Sequence, residues 1–181
     1  AAARGLRPIK NVPEAYEVYH EKQTIDLFKN IGVLAANEIE ARFEILNETY
    51  VKKLQIEARV IGDMCLNHVI PAAVRYQNIL IENVKGMKDI FGEDYLNYCA
   101  SEIETLKKIS TYINNVSADV EGLVEARKKA NRIEAIAERA KVYSYEVKDM
   151  MDKVRMSADN LEMLIDDEVW PLPKYRELLF F

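Results

Sequence analysis

Chain breakers are scarce. Six glycines and five prolines in 181 residues leave room for few turns, so the elements between them must be long. Cysteine is scarcer still. Cys65 and Cys99 fall inside helical patterns without metal-ligand spacing, and they read as reduced, buried thiols. An excess of positive charge is missing: 25 Lys and Arg against 30 Asp and Glu give a net charge of −5. That balance excludes the basic face a nucleic-acid partner would need. No apolar run approaches the roughly 20 residues that cross a bilayer, and the N-terminus lacks the apolar core of a signal peptide. The expectation is a cytoplasmic protein with no membrane partner. Neither standard glycine-rich phosphate loop occurs, and Ser, Cys and His show no triad spacing.

What is present is globular: 49% apolar and 30% charged residues, enough for one domain with a real core. The spacing predicts an all-α fold, a bundle of about four to five long antiparallel helices with a proline-rich, aromatic, extended C-terminal tail. Residues 1–10 read as an expression scar or linker, 11–166 as the bundle, and 167–181 as an apolar docking tail of the same domain. Asn11-Val-Pro-Glu14 marks the first helix start, with Asn as N-cap, Pro in the first turn and an acid at the positive end of the dipole. This helix is expected to reach Asn30 and stop at Gly32.

A second helix starts near Ala36. Its stripe runs Ile39, Phe43, Leu46, Tyr50, then Val51, Leu54, Ala58, Ile61, Cys65 and His68. It would span ~50 Å before Pro71. Pro71 cannot donate to the Asn67 carbonyl, so a kink is expected there. The pattern resumes with Ala72, Tyr76, Ile79, Ile81 and Val84 and ends at Phe91-Gly92. A third helix spans Asp94 to Asn131, with a seam from Leu96 through Cys99, Ile103, Leu106, Ile109, Ile113, Val116 and Val120 to Leu123. Its Ile103–Leu106–Ile109 spacing is a local stammer. A fourth spans Ile133 to Asp166, and its 4-3 seam from Ile133 to Ile165 is polar only at Ser144. Acid-then-base pairs (Glu38/Arg42, Glu48/Lys52, Glu104/Lys108, Glu125/Lys129, Asp149/Lys153) mark the solvated faces, each contributing a few tenths of a kcal/mol.

Three clusters are candidates for chemistry. Glu17-x-x-His20 matches the step of di-iron bundles, but such a site needs a second copy and two further inward glutamates. Only one copy exists, so the metal-binding bundle is set aside, and His68 reads as a satisfied polar group on the seam. Asn67, His68, Arg75, Tyr76 and Gln77 crowd the Pro71 region. They either form a contact surface or satisfy the freed Asn67 carbonyl and neighbouring helices, and the second reading is the simpler. Asp166-Asp-Glu168 places three acids at a helix C-terminus, unfavourable for the dipole. A cation or basic partner there is weighed against a solvated turn. Beyond them, Trp170, Leu172, Tyr175, Arg176 and Phe180 belong to a tail too apolar to hang free, braced by two prolines. Docking on its own bundle is the first expectation.

Glu40-Ala-Arg-Phe-Glu-Ile45, Gln55-Ile-Glu-Ala-Arg59, Asn67-His-Val-Ile-Pro71, Glu125-Ala-Arg-Lys-Lys-Ala-Asn131 and, most specifically, Trp170-Pro-Leu-Pro-Lys-Tyr-Arg-Glu-Leu-Leu-Phe180 resemble the C-terminal helical region of type III glutamine synthetases. The resemblance covers Arg7 to Phe180. It implies a parent enzyme that ligates ammonia to glutamate using ATP and Mg or Mn, in the bacterial cytoplasm, as a dodecamer of two hexameric rings. It also implies that catalytic, cofactor and metal residues lie in an upstream catalytic domain, and that none falls on these positions. The chain would then be a non-catalytic assembly domain whose partners are that upstream domain and other subunits. The alternative is a free-standing helical adaptor that binds partner helices along exposed seams.

Overall fold

The computed structural model describes residues 2–179, with backbone alone for residues 2, 175 and 176. Among the described residues the regular structure is entirely helical. In order come α1 (Val12–Tyr16), α2 (Lys22–Asn30), α3 (Ala36–Met64), α4 (Ile70–Phe91), α5 (Leu96–Asn131), α6 (Ile136–Val142), α7 (Lys148–Glu162) and α8 (Tyr175–Leu178). Two π-helical turns, Cys65–Val69 and Tyr143–Val147, join α3 to α4 and α6 to α7. The fold class matches the expectation, with the long helices arising where glycine and proline are missing.

The start at Asn11 is as the sequence predicts. Its side chain accepts from the Glu14 backbone N–H at 3.0 Å, and Pro13 sits in the first turn. The expected single helix to Asn30 is instead broken. A 3-10 turn at Glu17–His20 and an extended Glu21 (ψ 134°) separate α1 from α2. Gly32 ends α2 with φ +69°, a left-handed cap that favours glycine.

Chain contacts divide the molecule into two compact units. One comprises Ala1–Arg59 with Val124–Met150, the other Val60–Leu123 with Met151–Phe181. In the first, Ile39, Phe43, Val51, Leu54 and Ala58 of α3 are buried, as are Ala130, Ala140, Tyr143 and Val147. Asn47 is buried too and donates to the Phe43 carbonyl at 2.9 Å, the cheapest way to hide an amide in a helix. The end of α5 and the α6 segment run antiparallel, because Asn131 pairs with Tyr143 and Lys129 with Glu146. Tyr145 donates to Glu14 and accepts from Asn11 at 2.5 Å, and Lys141 meets Glu17 at 2.7 Å, which ties α1 to α6.

In the second unit, Gly62 lies against Val120, and Gln77 donates to Ser110 at 2.8 Å. Rising numbers on one strand of the pairing meet falling numbers on the other, so the helices are antiparallel. Ala72, Ala73, Cys65, Val69, Cys99, Ile109, Val116, Val154, Leu161 and Ile165 form the core. Ser157 donates to Asp119 at 2.6 Å and ties α7 to α5.

At Pro71, where a kink is expected, the chain makes a π turn. The Ile70 N–H reaches back to the Cys65 carbonyl, an i→i−5 bond, and Pro71 then falls in the first turn of α4, where a missing donor costs little. The inserted residue also moves the seam by one position. Val69 is buried and His68 is exposed, which corrects the reading of His68 as a seam residue. Ile79 and Leu96 likewise stand more than half exposed, because the buried stripe of α4 runs through Ala72 and Ala73, and the third helix begins at Leu96 after a 3-10 turn. Cys99 has non-helical angles (φ −130°, ψ 25°), and its thiol donates to the Tyr95 carbonyl. Of the expected surface pairs, Glu48/Lys52 and Glu104/Lys108 form. Glu38 instead accepts from the Ala35 N–H, and Glu125 takes Lys128 while Lys129 takes Glu146.

Two outcomes follow from this packing. A Cβ built at Gly62 meets only Val120 Cγ1, at an ordinary 3.6 Å. Gly62→Ala therefore removes unfolded-state freedom without strain, and urea unfolding should show it more stable by about 0.5–1 kcal/mol. A loss of stability would refute that packing. Burial pushes the Cys65 thiol up to about 11. A group with a raised folded pKa contributes stability below its unfolded pKa, near 9, and loses it as pH rises. Unfolding free energy should fall between about pH 9 and 11, and Cys65→Ser should flatten that fall.

Candidate interaction surfaces

The Pro71 cluster is built on the π turn. Widening the helix there turns Asn67 and His68 to solvent, and Asn67 donates to Asp63 at 2.6 Å. Arg75 is exposed, whereas Tyr76 and Gln77 are half-buried, with Gln77 committed to Ser110. Asn67, His68 and Arg75 form an open polar face, while Tyr76 and Gln77 belong to helix packing.

The tail folds back on α7. Trp170 is 8% exposed and Leu172 half-buried. With Pro173, Leu178, Arg155, Asp159 and Glu162 they line an open groove of about 230 Å³. The Trp170 N–H donates to the Asp166 carbonyl at 2.9 Å. Asp166 also caps its own turn through the Glu168 N–H at 2.8 Å. Lys174 donates to Asp167 and to the Glu162 carbonyl at the end of α7. The basic partner weighed for the acid triplet is thus Lys174 of the same tail, set where a cation suits the helix dipole. The side chains of Tyr175 and Arg176, and Phe180 altogether, lie outside the described residues.

Glu17 and His20 do not converge. Glu17 pairs with Lys141, while His20 lies edge-on to Phe43 (centroids 3.9 Å apart) and 3.5 Å from Glu40. Among the described residues no three His, Cys, Asp or Glu side chains gather as a ligand set. No described helix is long and apolar enough to cross a membrane.

The most connected polar feature was not singled out from the sequence as a site. Gln55 of α3 and the Tyr143 hydroxyl both donate to the Asn131 side-chain oxygen at 2.7 Å. Tyr143 is fully buried. Burial pushes its phenol above the ordinary value, opposed by a hydrogen bond from Gln55 and by the guanidinium charges of Arg127, Arg139 and Arg59. One oxygen thus joins three helical segments.

Residues 1–88 match the family described as the glutamine synthetase C-terminal domain. Over 181 residues the chain is 44% identical to a glutamine synthetase of Bacteroides fragilis, with 99% of this chain and 25% of that protein aligned. It is 31% identical to a glutamine synthetase of Butyrivibrio fibrisolvens and 29% identical to a type-3 glutamine synthetase of Dictyostelium discoideum, again over 99% of this chain and 25% of each relative. The first half of the chain is thus similar to the glutamine synthetase C-terminal domain, and its whole length to one quarter of these enzymes. The chain spans about a quarter of the length of the relatives it matches.

The segments that carry the resemblance have distinct physical tasks. Gln55–Arg59 and Glu125–Asn131 supply two members of the three-way junction, Asn67–Pro71 spans the end of the π turn and the start of α4, and Trp170–Lys174 is the folded tail. The sequence signal for the junction was the i,i+4 spacing of a hydrogen-bonding side chain and an arginine, present at Gln55/Arg59, Arg127/Asn131 and Arg139/Tyr143. Tyr143→Phe should lower stability by about 1–2 kcal/mol in urea unfolding at neutral pH, because it removes a buried donor from Asn131. A neutral outcome would mean the junction contributes nothing net.

Proposed function

We propose that this chain is the non-catalytic assembly part of a type III glutamine synthetase, an ATP-dependent enzyme that joins ammonia to glutamate. The observation that carries the reading is the match of nearly the whole chain to one quarter of each of three glutamine synthetases, at up to 44% identity. The remaining three quarters of such a protein would hold the reaction, with its ATP and its Mg or Mn. The residues described here do not fit a divalent metal. Asp166 and Asp167 are spent on the tail's own turn and on Lys174, and the other acids are dispersed along solvated faces. No chemical step is assigned to them.

What long helices with folded-back ends do supply is a stiff surface. The exposed Asn67–His68–Arg75 face and the tail around Trp170 and Leu172 are the surfaces we assign to the upstream catalytic domain and to neighbouring subunits of a cytoplasmic dodecamer. Exposed Ile90, Leu96, Met163 and Leu179 support a role in contact, since apolar side chains of this size in water favour burial on association. The test is deletion of residues 7–181 from the full-length enzyme, followed by sedimentation velocity and assay of glutamine formation. Subunits that no longer form rings are expected. Normal rings with normal activity would refute the assembly role, and a native gene encoding these helices alone would favour a free-standing adaptor.

A further inference from the structure

Each member of the three-way junction has an arginine one helical turn away on its own face: Arg59 beside Gln55, Arg127 beside Asn131 and Arg139 beside Tyr143. Arg139 is held in place, because its Nε donates to the Ile133 carbonyl at 2.7 Å. Arg59 and Arg127 have no carboxylate within ion-pair distance among the described residues. Of the acids nearest in sequence, Asp63 accepts from Asn67 and Glu125 pairs with Lys128, and neither Glu57 nor Glu121 reaches the guanidinium groups. Two arginines beside a buried junction are thus left with their guanidinium groups outside any ion pair of the described residues.

That arrangement runs against the charge of the whole chain. The acidic excess resides in the unit of Val60–Leu123 and Met151–Phe181, whereas the unit holding these arginines has a slight excess of Lys and Arg. Like charges gathered at one place cost free energy unless an anion joins them. Arg59 is exposed and Arg127 half-buried, so the site is open. A free small anion at an open site stays hydrated and is screened by salt. A carboxylate carried by a packed neighbouring surface has already lost its freedom and gains a bidentate partner.

We propose that Arg59 and Arg127 are a receptor for aspartate or glutamate side chains on a protein surface outside these 181 residues. The proposal rests on the assembly reading and names the chemistry of one contact in it. The junction of Gln55, Asn131 and Tyr143 is the platform that holds the helices bearing both arginines.

The test uses full-length enzyme with Arg59→Lys and, separately, Arg127→Lys. Each keeps the charge and adds an amine that a water-soluble carbodiimide can couple to a touching carboxylate. Peptide mass spectrometry should find an amide link from position 59 or 127 to an Asp or Glu outside residues 1–181, absent from the wild type. The Glu125–Lys128 link serves as the internal control of coupling. With that control present, links confined to acids within residues 1–181, or no link at either position, overturn the proposal. So does inorganic phosphate that raises the thermal midpoint of wild type but not of Arg59→Gln/Arg127→Gln when no link forms, since the site would then be one for small oxyanions. A link found in an enzyme whose rings survive deletion of these helices would keep this contact and remove the assembly role, so the two failures are distinguishable.

Discussion

A proline inside a long helix is the constraint on which much of the second unit depends. Pro71 has no N–H to give and its ring would crowd the carbonyl one turn back. The chain meets this with a single extra residue, so that Ile70 bonds to Cys65 and Pro71 enters as if it began a helix. The cost is a shift in phase, and its consequences spread along the helix. Val69 replaces His68 on the buried side, and Ala72 and Ala73, both without exposed surface, become adjacent core positions. Adjacent residues can both be buried only where the neighbouring helices approach closely, which two alanines allow and two leucines would not. The second π turn does the same at Tyr143 and Ser144, again two neighbours buried together.

This is also where legibility in the sequence ended. Asn11, Pro13 and Gly32 announced helix ends because their chemistry is local: a side chain short enough to cap, a fixed φ, a freedom to take positive φ. The long stripes from Ile39 to Ala58 and from Ile109 to Leu123 were legible because an uninterrupted α-helix repeats its face every three or four residues. The π turn has no such signature. It changes the count by one, and assignments made by counting across it can slip: His68 to the outside, and Ile79 to a half-exposed position. The 3-10 break at Glu17–His20 escaped for a related reason, since no glycine or proline marks it.

The candidate site was legible in its pieces and not in its joining. Trp170, Leu172 and the two prolines declared a tail that must dock, because their apolar surface could not stay in water. That Lys174 would serve both Asp167 and the last carbonyls of α7 depends on the length of the turn that brings it back. The acid triplet looked unsatisfied at the level of sequence because its partner lies several residues downstream. The Gln55–Asn131–Tyr143 junction was harder still, since its members come from three segments and each alone is an ordinary helix residue.

The two kinds of polar contact in this domain divide the work. Where a charge is wanted for folding it is matched inside the chain: Lys174 with Asp167, Lys141 with Glu17, Lys129 with Glu146. Such exposed pairs contribute little individually, but they leave no excess field behind. The junction is different, because a buried tyrosine hydroxyl must be satisfied and its partners must therefore be held still. Rigidity of that origin extends to whatever is carried one turn away. An arginine on a mobile surface would gain little from meeting an acid, since ordering a long side chain offsets most of the attraction. Arginines one turn from a fixed junction start from helices already ordered, so less of that cost remains. Order in the core in this way lowers the cost of any contact that the arginines one turn away make.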